Sequence, residues 1–354
     1  MIYDSYTIFT PGPVAMSKDI LEIGAQQTPY FRNQEFSNIL LQCEQDLLEL
    51  LNAPKNSRVV FLTASGTAGL ESVVMNLLGD NDKSIVINGG GFGERFVSLC
   101  ESYNKPHTQY KVKNTNLSDI ETICNPTGHN SFIINAHETS IGTLYDLDAI
   151  GKYTKKHNLL NIVDAISMFV TDELDMQKHN IDTVILSSQK GLALPPGLTM
   201  VVLNPKAIKR IQNIQSHYFN FKNYLTDGLR GQTPYTPCVT IILQLKARLD
   251  QIKKDGGIKS TISKANQLAT YFRKQIINMN LDYKFFTPYM PNAMTTLQPT
   301  TKTATQVVQQ LEQQYKIVVC PNGGELKDTI FRVSHMGNLT IQDIDSLLMA
   351  LKEI

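Results

Sequence analysis

Short apolar runs alternate with helical patterns between residues 59 and 202, and this alternation constrains the fold more than any other feature of the sequence. The runs have the length of buried strands, and the segments between them carry apolar residues at helical spacing. Strands that alternate with helices form a mostly parallel sheet with helices on both faces. We therefore predict an α/β fold with strands at residues 59–62, 84–87, 132–134, 159–163, 184–186 and 198–202, and helices at residues 37–51, 66–78, 92–104 and 147–157.

The pattern changes near residue 237, where two long helical stretches replace the alternation. They cover residues 239–254 and 258–279, and Gly256-Gly257 separates them as a helix break. A chain of 354 residues exceeds the usual size of one domain. We expect an N-terminal arm of residues 1–16, a large domain of residues 17–255 and a small C-terminal α+β domain of residues 256–354. The small domain is predicted to hold strands at residues 294–297, 316–319 and 330–333 and helices at residues 304–314 and 341–352.

The charge balance and the cysteine content indicate which partners and which compartment to expect. Basic residues number 33 and acidic residues 32, so no net charge attracts nucleic acid or an acidic membrane, and we expect small molecules or a second copy of the chain. Five dispersed cysteines without a CxxC pair are typical of free thiols in a reducing cytoplasm. The first residues lack a signal-peptide pattern, and no apolar run has the length of a membrane helix. These features predict a soluble, cytoplasmic protein.

Small and aromatic residues follow the first two predicted strands, at the edge where open α/β sheets bind ligands. Ser65-Gly66-Thr67 opens a helix, and backbone N–H groups at a helix start suit a phosphate. On the local pattern alone, an ordinary N-cap by Ser65 is the stronger alternative. Phe92 lies between glycines and could stack on a planar ligand or anchor the next helix in the core. Glu94 stands where a dinucleotide fingerprint starting at Gly89 requires glycine.

Polar residues follow the next two predicted strands. His137-Glu138-Thr139-Ser140 comes after one of them, and a surface loop is the alternative for His137. Asp164 follows the other directly and must pair with a cation or accept hydrogen bonds, because an unpaired buried carboxylate is costly. A helix N-cap is the alternative for Asp164. The seven histidines show no H-x3-H or HExxH spacing, so no metal site is predicted.

A lysine follows the fifth strand, just before the stiff turn Pro195-Pro196-Gly197. When an ammonium group loses its water, its pKa falls, and Lys190 could then attack a carbonyl group. The five strand ends together match pyridoxal phosphate, an aromatic aldehyde with a basic ring nitrogen and a phosphate arm. Asp164 would keep that nitrogen protonated, while Lys190 would form the Schiff base and shuttle the α-proton.

Over nearly its whole length, the sequence resembles the class V, fold-type I aminotransferases, especially their serine/alanine–glyoxylate and 2-aminoethylphosphonate–pyruvate branches. The matching motifs are Phe9-Thr10-Pro11-Gly12-Pro13-Val14, Ser65-Gly66-Thr67 with Glu71, His137-Glu138-Thr139-Ser140 with Gly142, Val163-Asp164-Ala165, Ser188-Gln189-Lys190 with Pro195-Pro196-Gly197, and Phe331-Arg332-Val333-Ser334-His335-Met336-Gly337. The resemblance implies a large pyridoxal-phosphate-binding domain with a seven-stranded type of sheet and a smaller C-terminal domain.

The resemblance also implies a role for each matched residue. Lys190 would carry the cofactor, Asp164 would pair with the pyridine nitrogen and Phe92 would stack on the ring. The other cofactor contacts would come from Ser65, Gly66, Thr67 and Gln189 at the phosphate and from Thr139 at the ring oxygen. Arg332 would bind the substrate carboxylate with its planar fork, beside Gly12; a surface arginine is the alternative. The family's homodimers imply that Thr236, or second Thr233, reaches the phosphate of the neighbouring subunit.

Two departures from the family pattern bear on the substrate. Phe31 stands where members often have histidine, and Ile141 replaces the usual threonine before Gly142. Arg32 could form a second anion site or an entrance salt bridge, and the sequence favours the salt bridge. The resemblance implies transfer of an amino group from a donor such as alanine, serine or 2-aminoethylphosphonate to a 2-oxo acid such as pyruvate or glyoxylate.

The sequence leaves other functions open. Phosphoserine or aspartate aminotransferase activity is one alternative within class V. A cysteine desulfurase or lyase is less favoured, because Gln189 replaces the usual histidine and no cysteine lies in a suitable loop. A non-enzymatic binding module would have lost Lys190 or Asp164, and both are present.

Overall fold

The computed structural model describes residues 6–354, so the first five residues of the expected N-terminal arm lie outside it. The strands are β1 Thr7–Phe9, β2 Arg58–Leu62, β3 Ser84–Asn88, β4 His107–Lys111, β5 Ser131–Asn135, β6 His137–Glu138, β7 Thr143–Leu144, β8 Leu160–Asp164, β9 Thr183–Ser187, β10 Thr199–Leu203, β11 Tyr283–Phe285, β12 Met294–Pro299, β13 Ile317–Pro321 and β14 Phe331–Ser334. The α-helices are α1 Lys18–Gly24, α2 Gln34–Leu50, α3 Gly66–Leu77, α4 Gly91–Ser102, α5 Ile120–Ile123, α6 Leu147–Lys156, α7 Pro205–Lys209, α8 Phe221–Gly228, α9 Val239–Lys254, α10 Ile258–Asn278, α11 Ala304–Tyr315 and α12 Ile341–Glu353, and Gly324–Leu326 forms a 3-10 turn.

The large sheet has seven strands in the order β2-β10-β9-β8-β5-β3-β4. Strands β4, β3, β5, β8 and β9 pair in parallel, and β10 runs antiparallel to both β9 and β2. Consequently β2 points the same way as β9. The carboxyl ends of β2, β3, β5, β8 and β9 therefore share one edge of the sheet, as the predicted parallel arrangement requires.

Two apolar layers cover the large sheet, because its central strands are buried on both faces. One layer packs α2, α6 and α9 against residues such as Ile87, Ile134 and Leu186. The other packs α3, α4 and α8 against residues such as Val86, Ile133 and Ile185. Successive residues of one strand thus face opposite layers, which explains the uninterrupted apolar runs in the sequence.

A second sheet of five strands, in the order β1-β13-β14-β12-β11, packs against α10, α11 and α12. Its outermost strand β1 comes from the start of the described chain and pairs in parallel with β13, with Phe9 beside Val319. The segment after β1 continues toward the large sheet, so the N-terminal residues connect the C-terminal sheet to the site described below. No helix in residues 6–354 combines the length and the apolar character needed to cross a membrane.

The predicted helix of residues 239–254 matches α9, and most other predicted elements are found with ends shifted by one to three residues. The elements that the sequence did not indicate are short or polar. Strand β4 pairs only with β3 at the sheet edge, and its residues are half-buried or exposed. An edge strand needs no continuous apolar run, which is why hydrophobic periodicity did not reveal it.

Candidate active site

Lys190 and Asp164 lie at the carboxyl ends of neighbouring strands. Asp164 is the last residue of β8, and Lys190 follows β9 by three residues. Burial raises the pKa of Asp164 to about 6, although the nearby Lys190 charge opposes the rise. Burial lowers the pKa of Lys190 to about 8. The pair therefore combines an anion with an amine that loses its proton far more readily than an ordinary lysine.

Gly12 packs against the Lys190 side chain. A Cβ atom at Gly12 would lie 2.6 Å from Lys190 Cδ and 2.9 Å from its Nζ, and the φ angle of +139° disfavours any residue but glycine. The turn after β1 is thereby placed beside the lysine amine. The Asp164 carboxylate accepts a hydrogen bond from Ile166 N at 2.9 Å within a turn, so the alternative of an α-helix N-cap is wrong.

Phe92 occupies the first turn of α4 and is half-buried, outside the apolar layers, so the alternative of a core anchor is wrong. The Arg95 guanidinium carbon lies 4.8 Å from the centre of its ring. Arg95 also donates to Thr67 Oγ1 at 3.0 Å, which links the start of α4 to the start of α3. The ring face and the helix start therefore lie within reach of one cationic side chain.

The buried Glu138 fastens the first turn of α4. Its carboxylate accepts hydrogen bonds from Phe92 N at 3.3 Å and Gly93 N at 2.9 Å. It also accepts from Asn135 Nδ2 at 3.0 Å and from the Ser140 hydroxyl at 2.5 Å. A carboxylate at a helix N-terminus satisfies free N–H groups and the helix dipole, so Glu138 fixes where Phe92 stands.

The start of α3 meets the turn that carries Gln189. Ser65 occupies the N-cap position but is exposed and makes no capping hydrogen bond, so the alternative of an ordinary side-chain cap is wrong. A Cβ atom at Gly66 would lie 2.7 Å from Ile166 Cδ1 and 3.5 Å from Ser187 Oγ. The Ser187 hydroxyl donates to Gln189 Oε1 at 2.6 Å. Ser187 therefore lies next to Gly66 and is hydrogen-bonded to Gln189, which places both residues close to the start of α3.

Arg332 brings the C-terminal sheet to the site. Its Nη1 donates to Thr139 O at 3.3 Å and its Nη2 to Pro321 O at 2.7 Å. Arg332 Nε is buried without a partner, and no carboxylate within residues 6–354 forms a salt bridge with the group. The Arg332 guanidinium is therefore held by two neutral carbonyl groups, and its positive charge is not paired within residues 6–354. This differs from the solvated surface arginine considered as an alternative, and it leaves the group available to bind an anion.

The loop of His137 and Thr139 lies inside the protein. Thr139 Oγ1 donates to Ser167 Oγ at 2.8 Å, and His137 Nδ1 lies 3.3 Å from Ser167 O. His137 is 3% exposed and forms part of β6, so the alternative of a surface loop for this residue is wrong. Burial lowers the pKa of His137 to about 3, which keeps the ring neutral, and its Nε2 has no partner.

Among the described residues, the side chains of Thr233, Thr236 and Arg32 make no hydrogen bond with Lys190, Asp164 or Arg332, although Cys238 N, two residues after Thr236, donates to Thr63 Oγ1 near the start of α3 at 2.8 Å. Thr233 is buried and its hydroxyl donates to Tyr235 O at 2.7 Å, whereas Thr236 is exposed. Arg32 donates to Gln232 Oε1 at 3.1 Å and to Thr233 O at 2.9 Å. Within residues 6–354 Arg32 forms no ion pair, so the favoured entrance salt bridge is not found in this part of the chain.

Three residues near the site were missed by the sequence reasoning. Arg95 lies three positions after Phe92, and helical spacing alone could have placed both on one face. The hydrogen bonds from Glu138 to α4 have no local sequence signal, because Phe92 N and Gly93 N come from another strand end. Cys320 pairs in register with Arg332 in the C-terminal sheet, and a negative charge on its sulfur would oppose the lowering of the Lys190 pKa.

This arrangement fits pyridoxal phosphate. An amine of lowered pKa, a buried carboxylate and a half-buried aromatic ring lie around the same edge of the sheet. His137 Nε2 and Arg332 Nε are buried donors or acceptors without partners, as expected where a polar ligand completes the hydrogen bonding. The N-terminus of α3 offers backbone N–H groups to a phosphate, and Arg332 offers a guanidinium group to a carboxylate.

Comparison with known proteins identifies the class. The model of the class V aminotransferase family matches residues 25–347, so the chain belongs to that family. It is a pyridoxal-phosphate-dependent aminotransferase, and the predicted family, enzyme class and cofactor are confirmed.

Individual relatives are distant, but the matches cover 98–99% of this chain. A protein of Synechococcus sp. named soluble hydrogenase, small subunit, is 26% identical across 99% of this chain and 93% of its own length. A 2-aminoethylphosphonate–pyruvate transaminase of Salmonella paratyphi B is 24% identical across 98% and 97%. The crystal structure of ureidoglycine–glyoxylate aminotransferase from Bacillus subtilis superposes with a TM-score of 0.90 at 21% identity, over 98% of this chain and 92% of that one. The predicted fold-type I architecture is confirmed.

Proposed function

We propose that the protein transfers an amino group from a small amino donor to a 2-oxo acid such as pyruvate or glyoxylate, with Lys190 as the covalent attachment point of the cofactor. The observation that carries the proposal is the adjacent placement of Lys190 and Asp164 at two parallel strand ends, with their pKa values displaced in opposite directions. The names of a pyruvate transaminase and a glyoxylate aminotransferase among similar proteins support these acceptors.

Lys190 and Asp164 divide the proton chemistry. Bound pyridoxal phosphate supplies an aldehyde that takes up the amino group and a ring that accepts electrons from the broken C–H bond. Lys190, with a pKa of about 8, can take up or release a proton near neutral pH, which suits a group that moves the α-proton. Asp164, with a pKa of about 6, is ionised at that pH and can hold a proton on the ring nitrogen.

The remaining cofactor contacts follow from the positions of the side chains. The start of α3 would bind the phosphate through Ser65, Gly66 and Thr67, with Gln189 beside it. Phe92, fixed by Glu138, would stack on the ring, and Thr139 would contact the ring oxygen. Two contacts support this assignment. Arg95 connects Phe92 with Thr67, and Ser187 is hydrogen-bonded to Gln189 beside Gly66.

Arg332 would bind the substrate carboxylate, with Gly12 forming the adjacent wall. The unpaired Nε and the absence of an anionic partner among residues 6–354 support this role. An arginine fork binds a carboxylate through two parallel hydrogen bonds and so orients the reacting carbon beside Lys190.

A homodimer is part of the proposal. The exposed Thr236 is free to approach a neighbouring subunit, whereas the Thr233 hydroxyl is engaged within its own loop. We propose Thr236 first and Thr233 second as contacts to the partner's cofactor phosphate. The five cysteines are free thiols, which supports a cytoplasmic location. The break between α9 and α10 supports a division into residues 17–255 and 256–354.

A donor panel tests the function. The purified protein is mixed with alanine, serine, aspartate or 2-aminoethylphosphonate, and the near-visible absorbance of the bound cofactor is followed before pyruvate or glyoxylate is added. One donor should bleach the absorbance and one oxo acid should restore it. Lys190→Ala should show neither change. Release of sulfide from added cysteine without restoration by an oxo acid would favour a desulfurase and contradict the proposal.

A further inference from the structure

A cavity of about 140 Å³ lies beside the loop that carries Lys190. Gly191 and Ala193 of that loop form one wall, and residues 336–338, which follow Arg332 along the chain, form another. The other walls come from α9, α10 and the start of α1. None of the residues assigned to the cofactor or the substrate lines this cavity, so it is separate from the site at the sheet edge.

Arg248 of α9 contributes a guanidinium group with spare hydrogen-bonding capacity. Its Nη1 donates to Gln251 Oε1 at 2.8 Å, while its Nε is buried without a partner. Within the described chain it forms no salt bridge, and Asp255 affects it only from a distance. Burial lowers the pKa of Arg248, but a guanidinium group remains charged at neutral pH. A half-buried cation whose Nε is buried and which has no salt-bridge partner is costly, so an anion in the cavity would stabilise it.

The first turns of α10 add to the positive potential. Ser260, Thr261 and Lys264 line the cavity near the N-terminus of this 21-residue helix, where the helix dipole is positive. Asp255 is the one acidic residue in the wall, against Arg248 and Lys264. His335 also lines the cavity, is 2% exposed and has an Nδ1 atom without a partner. Hydroxyl, imidazole and cationic groups thus surround a space with one net positive charge.

We propose that this cavity binds a small oxyanion, either inorganic phosphate or a small carboxylate. The volume suits an ion of a few heavy atoms, and the walls offer donors of the type that oxyanions prefer. Ala193 N donates to Lys190 O at 2.8 Å, so the wall of the cavity and the lysine belong to one hydrogen-bonded turn. An oxyanion bound here stabilises that turn from outside the catalytic site.

Titration calorimetry on the cofactor-loaded protein tests the proposal, because loading fills the phosphate site at α3. Inorganic phosphate and acetate are titrated separately into the wild type, Arg248→Met and Arg332→Met. At least one of the two ions should bind the wild type. Arg248→Met should weaken that binding about tenfold or more, the factor that corresponds to the loss of a charge-assisted hydrogen bond. Arg332→Met should leave the Arg248-dependent binding unchanged and remove only acetate binding at the substrate site, and the ion whose binding depends on Arg248 identifies phosphate or carboxylate as the ligand of the cavity.

A second variant protects the test against misfolding. Ser260 is exposed at the start of α10, and Ser260→Asp places a negative charge at a helix N-terminus, where it favours the helix. This variant should fold normally and still weaken binding about tenfold through repulsion. The proposal is overturned if neither ion binds the wild type, if Arg248→Met and Ser260→Asp bind as the wild type does, or if all binding is lost in Arg332→Met instead.

Discussion

The site at the sheet edge and the cavity beside the Lys190 loop both collect charged side chains, but the fold assembles them differently. At the sheet edge, Asp164 and Lys190 follow neighbouring parallel strands, so the topology alone brings them together. In the cavity, Arg248 and Lys264 come from two successive helices and meet a loop that lies far away in the sequence. The comparison shows that a parallel sheet brings residues at successive strand ends together, so a site of this kind can be predicted from the sequence. A site formed by packed helices leaves no such pattern in the sequence.

The largest expected effect is on catalysis at the sheet edge. Asp164→Asn should reduce kcat by about 10²–10⁴-fold, because a neutral amide cannot hold a proton on the ring nitrogen by charge. Cofactor attachment should persist, since it depends on Lys190. Steady-state kinetics and the near-visible absorbance measure the two quantities.

Asp172→Asn is the matched control for that variant. Asp172 is also buried, and burial also raises its pKa, but its carboxylate accepts from Asn292 N at 2.9 Å outside the site. Its substitution should leave kcat within about threefold of the wild type. Equal losses in the two variants would mean that burial of a carboxylate, rather than its place at the sheet edge, controls activity.

Arg332→Lys should produce the next largest effect. Lysine keeps the charge but cannot form two parallel hydrogen bonds, so KM for the oxo acid should rise about 10–100-fold with a smaller change in kcat. The absorbance of the bound cofactor should not change. Arg230→Lys, an exposed arginine paired with Asp227, is the control and should behave as the wild type. An unchanged KM in Arg332→Lys would remove this residue from substrate binding.

Glu138→Gln should lower stability as well as function. The variant replaces one carboxylate oxygen by an amide group that faces backbone N–H donors, which should cost about 1–3 kcal/mol in the free energy of unfolding. Urea unfolding of the cofactor-free protein measures the cost. Glu101→Gln, at an exposed residue of the same helix whose side chain has no hydrogen bond or ion pair among the described residues, should cost less than about 0.5 kcal/mol. Similar losses in both variants would argue that α4 is not fastened through Glu138.

The smallest effect is expected in the cavity. Lys264 is exposed on α10, so Lys264→Gln should weaken oxyanion binding about two- to threefold, since an exposed charge contributes little. The kcat value should remain unchanged. A large fall in kcat would show that the cavity and the sheet-edge site are one functional unit rather than two.

How much the sequence could predict follows from the same contrast. Lys190, Asp164, Phe92 and Thr139 could be placed at one edge because a parallel sheet aligns strand ends, and the apolar runs marked those strands. Strand β4 and the register between Cys320 and Arg332 could not be predicted, because edge strands are polar and antiparallel register depends on the intervening turn. The engagement of Arg32 with the loop at residues 232–234 depends on tertiary packing and likewise left no local pattern.

The central claim is that Lys190 is the residue to which the cofactor is covalently attached. The most direct measurement is borohydride reduction of the cofactor-loaded protein, followed by proteolysis and mass spectrometry of the peptides, with Lys190→Ala treated in parallel. We predict that the reduced cofactor is found on the peptide containing Lys190 and on no peptide of the variant. Attachment to a different lysine, or the same labelling in Lys190→Ala, would contradict the account.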